Sequence, residues 1–378
     1  MHQYKSIAIY GFTIFAMFFG SGNLVFPLEV GYYAPNNWLH GFLGFFLTGI
    51  ILPFLGLFVI KLHKGNYYNF FNEAGSIAKY AIPLFTLSLL GSFGVVPRCI
   101  TVAHGGIAYV YPQMSLWVFA LIFCITSFIL CLKDHLVVKM LGKWMSPLLL
   151  IALLLLIIVG VDNSSELTTT SGQNDAFVNG FFKGYQLMDL FAAFFFSAFI
   201  FQQLQAASLI KNNDKDIIIF AIKASVVGSL LLAMIYCGLV FLGAHYAFLL
   251  DGVSPEYMLP TIAKYLMGDF TVLFLSIPVV LSCLTTAIAL NNIYARYLCT
   301  LFQLGDDKFP LMLCCTTFIA FVISLMNFNA IAAFLALALD ISYPGLIFLT
   351  IMGIIFKDKY HKFKIYSFWL ITLMAILY

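Results

Sequence analysis

Charge is scarce in this sequence. Asp, Glu, Lys and Arg make up 9% of the 378 residues, against roughly a quarter in an ordinary soluble domain. So few charges cannot coat a water-facing surface, and with 62% of residues hydrophobic lipid is the expected solvent. A net charge of +3 is too small to argue for a nucleic-acid partner. The eight cysteines form no C-x-x-C pair, which speaks against a zinc site or a disulfide framework. They fall in or beside apolar runs and read as small packing residues. The sequence also lacks a paired acidic motif, a metal-ligand cluster and a nucleophile with a nearby base. An enzyme is therefore not expected, nor is an organic cofactor. Nothing suggests the ring of like residues that a channel would need.

What is present is a succession of apolar runs. A hydrocarbon core of about 30 Å takes roughly 20 apolar residues per helix. Runs of that kind cover 6–33, 38–60, 80–110, 116–132, 136–161, 184–204, 217–242, 270–298, 309–326 and 328–356, with a shorter one at 365–378. The first run exceeds a signal-peptide core and is expected to be retained as a span. Helix is the economical choice, because backbone groups in lipid must be satisfied within their own segment. The fold class expected is an all-α integral membrane protein of about eleven spans, forming one transmembrane domain over 1–378.

Lysines sort by loop. Lys5, Lys61, Lys64, Lys79, Lys133, Lys139, Lys143, Lys211, Lys215, Lys308, Lys357, Lys359, Lys362 and Lys364, with Arg296, mark alternate loops, whereas the others carry only Lys183 and Lys264. The positive-inside rule places the N-terminus in the cytoplasm. Residues 6–161 and 184–356 hold five runs each, so the second block enters the bilayer from the opposite side. That is the arithmetic of an inverted repeat, here resting on topology alone.

Chemistry concentrates in the first run, at Phe19-Gly20-Ser21-Gly22-Asn23. Glycine is costly inside a helix, and this cluster invites a break. Close helix packing through small residues is the plainer alternative. A broken helix would offer carbonyls near Ala16 to Phe19 to a cation and amides at Ser21 to Asn23 to an anion, a pairing suited to a zwitterion travelling with a metal ion. In the eighth run, the hydroxyls of Thr285 and Thr286, after Ser282, suit a hard cation such as Na⁺, unless each back-bonds to its own helix. Asp189 reads as a solvated helix-start acid or an outer gate contact, and Ser197-Ala198 as a weak second break. Arg98, deep in the third run, should face a cavity or an ion-pair partner, with Asp340 in the tenth run as one candidate. His104 reads as a packing histidine or a proton relay.

Together these segments resemble the branched-chain amino acid:cation symporter family, bacterial carriers of leucine, isoleucine and valine. The resemblance rests on Gly11-Phe12-Thr13 through Gly20-Ser21-Gly22-Asn23 and Phe26-Pro27, on Pro97-Arg98, and on Gly184-Tyr185 with Met188-Asp189. It rests equally on Cys283-Leu284-Thr285-Thr286-Ala287-Ile288 and Tyr343-Pro344. It implies a LeuT-like five-plus-five bundle in the bacterial cytoplasmic membrane and Na⁺-coupled uptake by alternating access. A proton-coupled carrier, or a carrier of another amino acid on the same fold, is the alternative. The resemblance further implies that the Ser21 and Gly22 amides hold the substrate carboxylate, with Gly20 and Asn23 beside them in the substrate site. Carbonyls of Ala16 and Phe19, with Ser282, Thr285 and Thr286, would surround Na⁺. Phe195, Phe196, Ser197 and Phe199 would face the branched side chain; Arg98, Asp189 and Asp340 stand, from their own placement, as candidates for a gate or an ion pair. Cys99, Gly105, Leu187 and Ser197 depart from the family pattern, and the chain shows about eleven spans where relatives have one more. Whether it forms a homo-oligomer is left open.

Overall fold

The computed structural model describes residues 2–132, 136–164, 175–206, 214–357 and 359–377. Among them every regular element is helical. The expected first span is two helices, α1 (His2–Phe18) and α2 (Gly22–Tyr33), bent by 75° where they meet. The expected second span runs from α3 (Trp38–Phe46) through a π turn at Leu47–Ile51 into α4 (Leu52–Leu62). A short α5 (Tyr67–Phe71) follows, then α6 (Ala78–Leu90) and α7 (Val95–Ala108), which together form one stretch, and then α8 (Leu116–Leu132) and α9 (Leu136–Asp162). The second block holds α10 (Ala176–Tyr185), α11 (Asp189–Ala206), α12 (Asp214–His245), α13 (Pro255–Met267), α14 (Asp269–Leu301), α15 (Phe309–Ser324) and α16 (Phe328–Ile355), and the chain closes with α17 (His361–Leu377). Among the described residues five stretches are long and apolar enough to cross a bilayer, or six with the bent pair. The chain is a multi-pass membrane protein.

Two packed groups organise the molecule. In one, α12 lies along α1 and α2, α10 packs on α3, and α11 on α4. In the other, α14 packs on α7, α8 and α9, and α15 on α7 and α8. Both broken helices, α1–α2 and α10–α11, belong to the first group. Small residues let its helices touch: a Cβ on Gly180 would overlap the Gly41 carbonyl oxygen, and one on Gly31 the Val240 carbonyl oxygen. Lipid tails give apolar side chains little reason to prefer one another, so close backbone contact carries the association. Gly180→Ala is expected to force α10 off α3 at a cost of about 2 kcal/mol. It should lower the thermal midpoint of the detergent-purified protein by several degrees. An unchanged midpoint would mean that the two helices separate freely.

The loop cations are only partly visible. Lys133 and Lys211 lie outside the described residues, as do the side chains of Lys5, Lys139, Lys143 and Lys215. At the end of α4 that bears Lys61, three ionisable groups are buried together. Glu73 accepts from Lys364 Nζ at 2.8 Å and faces His63 Nε2 at 3.0 Å, while His63 Nδ1 bonds the Val59 carbonyl. Lys364 also donates to the Phe356 carbonyl, and the Trp369 indole N–H to that of Ala74. These bonds fasten α17 to the segment between α5 and α6.

Candidate functional site

The first break forms where the sequence places its glycines. α1 ends at Phe18, and the chain passes through Phe19, Gly20 and Ser21 before α2 starts. Helix ends leave carbonyls of the last turn and amides of the first without intrahelical partners. The break therefore presents acceptors from α1 and donors from α2 at one depth. Asn23 folds back over it: its Oδ1 accepts the Gly20 N–H at 2.9 Å. Ser21 is fully buried, and its hydroxyl accepts from the Cys99 thiol at 3.4 Å.

The cation candidates meet there in part. Thr286 lies against Gly20, so that a Cβ built on the glycine would stand 3.4 Å from its Cγ2 and 3.8 Å from its Oγ1. Ser282 is buried, and Thr285 donates its hydroxyl to the Ser282 carbonyl at 2.9 Å. That back-bond uses the hydroxyl hydrogen and leaves oxygen lone pairs for a cation. Phe19 is buried and Ala16 half-buried at the end of α1. Carbonyl and hydroxyl oxygens are the donors a hard cation takes. Among the described residues no cluster of three His, Cys, Asp or Glu side chains suits a transition metal.

The second break is not at Ser197-Ala198. Helix α11 runs unbroken through both, and the Ser197 hydroxyl donates to the Leu57 carbonyl at 2.9 Å. The chain instead unwinds at Gln186, Leu187 and Met188, with Met188 in the left-handed region at φ 64°. A side chain there costs energy, so surrounding contacts must hold it. Arg98, fully buried on α7, supplies two: one NH group donates to the Gln186 carbonyl at 2.6 Å and the other to Met188 Sδ at 3.3 Å, while its Nε finds no protein partner. Its guanidinium also lies 5.3 Å from the centre of the Phe26 ring. The two breaks face each other, since a Cβ on Gly22 would sit 3.6 Å from Leu187 Cδ2.

Asp189 is therefore not a solvated acid. It is 6% exposed, opens α11 at the second break, and its Oδ2 accepts from Asn23 Nδ2 at 3.1 Å. The same Asn23 amide meets the hydroxyl of Tyr236, fully buried on α12. Among the described residues no ion pair includes Asp189 or Arg98. Asp340 does not join them. It is exposed, off the buried stripe of Ile331, Leu335, Leu339 and Tyr343 on α16, so the expected Arg98–Asp340 pairing does not occur. His104 is a satisfied packing histidine, with Nε2 2.9 Å from the Met114 carbonyl.

The residues expected to face the substrate side chain lie further along α11 than the second break. Phe195 and Phe196 lie about 9 Å along α11 from its start. Phe195 packs edge-on against Tyr67, Phe196 packs edge-on against Phe18, the last residue of α1 before the first break, and the Phe199 side chain lies outside the described residues. The apolar groups near the second break are Leu187, Phe191 and Tyr343, the last two 5.0 Å apart between ring centres. Sequence reasoning missed Tyr236, which belongs to no motif and reaches the site only through packing, and gave no role to Gln186, whose carbonyl Arg98 holds at the second break.

Two broken helices apposed in one packed group, with hydroxyl-bearing α14 across from them, define a membrane transporter of the LeuT-like five-plus-five class. Solved structures share that fold. A Na⁺-coupled sialic acid symporter aligns at TM-score 0.61 and 11% identity, over 98% of this chain and 90% of that one. The manganese transporter of Eremococcus coleocola aligns at 0.56 and 14%, over 99% and 86%. At such identities the likeness speaks for fold alone. Sequence goes further: the model of the branched-chain amino acid transport protein family matches residues 3–378, and the chain belongs to that family. A protein of Staphylococcus saprophyticus provisionally named a branched-chain amino acid carrier is 30% identical, over 90% of this chain and 79% of the relative. One of Staphylococcus aureus with the same provisional name is 29% identical, over 93% and 83%.

Proposed function

We propose that the chain is a Na⁺-driven symporter that takes up leucine, isoleucine and valine across the bacterial cytoplasmic membrane, with its N-terminus in the cytoplasm. The observation that carries this reading is the snapped first span with Thr286 against its glycine. The amides of Ser21 and Gly22, at the start of α2, receive the substrate carboxylate. Carbonyls of Ala16 and Phe19, with Ser282, Thr285 and Thr286, hold Na⁺ between α1 and α14. Bound Na⁺ then ties the group that holds the breaks to the group that holds α14. Coupling follows, because completing the cation site also fixes the amide site beside it. Rocking of one group against the other exposes the pair to alternate sides.

Proton coupling is the second reading, favoured by the buried carboxylate of Asp189 at the breaks. Uptake of labelled leucine into proteoliposomes separates the two. An inward Na⁺ gradient at equal pH should drive accumulation, and an inward proton gradient at equal Na⁺ should not. Accumulation driven by the proton gradient alone would overturn the Na⁺ assignment.

A further inference from the structure

Asn23 joins the two breaks by a chain of fixed polarity. The Gly20 N–H donates to Asn23 Oδ1 at 2.9 Å, and Asn23 Nδ2 donates to Asp189 Oδ2 at 3.1 Å. From end to end the order is backbone donor, acceptor oxygen, donor nitrogen, acceptor carboxylate. An α-amino acid zwitterion has the same order, its carboxylate accepting and its ammonium donating. Its charged ends also have a similar spread, with carboxylate O and ammonium N about 3 Å apart against about 2.3 Å across a primary amide.

Charge points the same way. Asp189 is buried at the breaks, yet the Asn23 hydrogen bond to its carboxylate comes from a neutral amide, and no ion pair among the described residues includes it. The guanidinium of Arg98 is turned to the Gln186 carbonyl and to Met188 Sδ. Arg98 is near enough for its charge to act on Asp189 but does not pair with it, and a buried carboxylate hydrogen-bonded by neutral donors inside a membrane protein is costly and marks a substrate or ion path.

We infer that Asp189 receives the ammonium group of the substrate, and that the Asn23 amide yields its line between Gly20 and Asp189 to the zwitterion on binding. This rests on the amino-acid reading above and adds its missing pole: the amides of the first break, Gly20 included, take the carboxylate, and Asp189 takes the charge at the other end. It also makes Asp189 the residue that rejects acids lacking an amine. Without a cation to meet it, the buried carboxylate repels a carboxylic acid placed on the amides.

The test uses reconstituted full-length protein and three probes: leucine, 4-methylpentanoate (leucine without its amine) and 3-methylbutylamine (leucine without its carboxylate). Leucine uptake by the wild type checks the amino-acid reading by itself. Competition against that uptake then checks Asp189. The wild type should favour leucine over 4-methylpentanoate by about 100-fold or more, the scale of a buried charge pair, and 3-methylbutylamine should compete measurably. Asp189→Asn should weaken leucine by a similar factor and bring leucine and 4-methylpentanoate to within a few-fold of each other. Na⁺-induced thermal stabilisation, measured without amino acid, should survive in that variant. A variant that keeps the wild-type preference for leucine overturns the assignment. So does loss of Na⁺ stabilisation, which would put Asp189 in the cation site. If Asp189→Asn does not fold, the wild type decides: equal inhibition by leucine and 4-methylpentanoate overturns the proposal.

Discussion

Thr286→Ala should raise the Na⁺ concentration for half-maximal leucine uptake by about tenfold or more, the worth of one hydrogen-bond-strength contact to a charged group. The hydroxyl stands beside Gly20 at the break and is half-buried, so removing it should cost little stability. Expression and thermal midpoint without Na⁺ should stay near wild type. Leucine affinity at saturating Na⁺ should also recover, because the amides of α2 are untouched. Uptake measured across a Na⁺ series at fixed leucine checks this. Unchanged Na⁺ activation would remove Thr286 from the cation site. Thr285→Ala gives the internal comparison, since its hydroxyl hydrogen already bonds the Ser282 carbonyl.

Lys364→Met should destabilise the chain by about 3–5 kcal/mol, the usual result of removing one partner from a buried ion pair. Lys364 is 1% exposed and donates to both Glu73 and the Phe356 carbonyl. Its loss leaves Glu73 buried with His63 alone. Adding Glu73→Gln should recover part of the loss, because the stranded charge goes with it. The pH dependence has a fixed sign. Burial raises the Glu73 pKa, but hydrogen bonds and charge from His63 and Lys364 outweigh it, and the carboxyl sits below its ordinary value of 4.5. Stability from a depressed carboxylate is present above the ordinary value and is lost as pH falls through the depressed one. The difference between wild type and Lys364→Met should therefore be full above about pH 5 and shrink in more acid solution. Thermal midpoints of the purified proteins across pH 3 to 7 check it, and a difference that grows toward acid would contradict the pairing.

The first break was legible because its cause is local. Two glycines flanking a serine, in the middle of an apolar run, destabilise helix whatever surrounds them. The fold class was legible for a similar reason, since composition and run length act along the chain. The second break was not. Gln186-Leu187-Met188 contains no glycine or proline, and its unwinding is held by Arg98, 88 residues away. The nearby signal was Gly184 followed by Asp189, a residue suited to opening a helix. Ser197 looked like a breaker but bonds the Leu57 carbonyl of a neighbouring helix. Arg98 was rightly placed as buried, yet its partner is a backbone carbonyl rather than an acid, and sequence patterns carry no trace of free carbonyls. Asp189 looked solvated because it falls near the start of an apolar run, whereas α10 extends the helical path outward and puts it inside.

The π turn at Leu47–Ile51 sets the phase of everything downstream. An inserted residue in an α-helix turns all later side chains by about 100° relative to an unbroken one. Heptad counting across that point would assign the wrong face to Leu57, whose carbonyl meets Ser197, and to His63, which meets Glu73. A relative with one residue fewer there would be rotated through the whole of α4 rather than merely shortened. An alignment gap at Leu47–Ile51 thus deserves to be read as a change of aim.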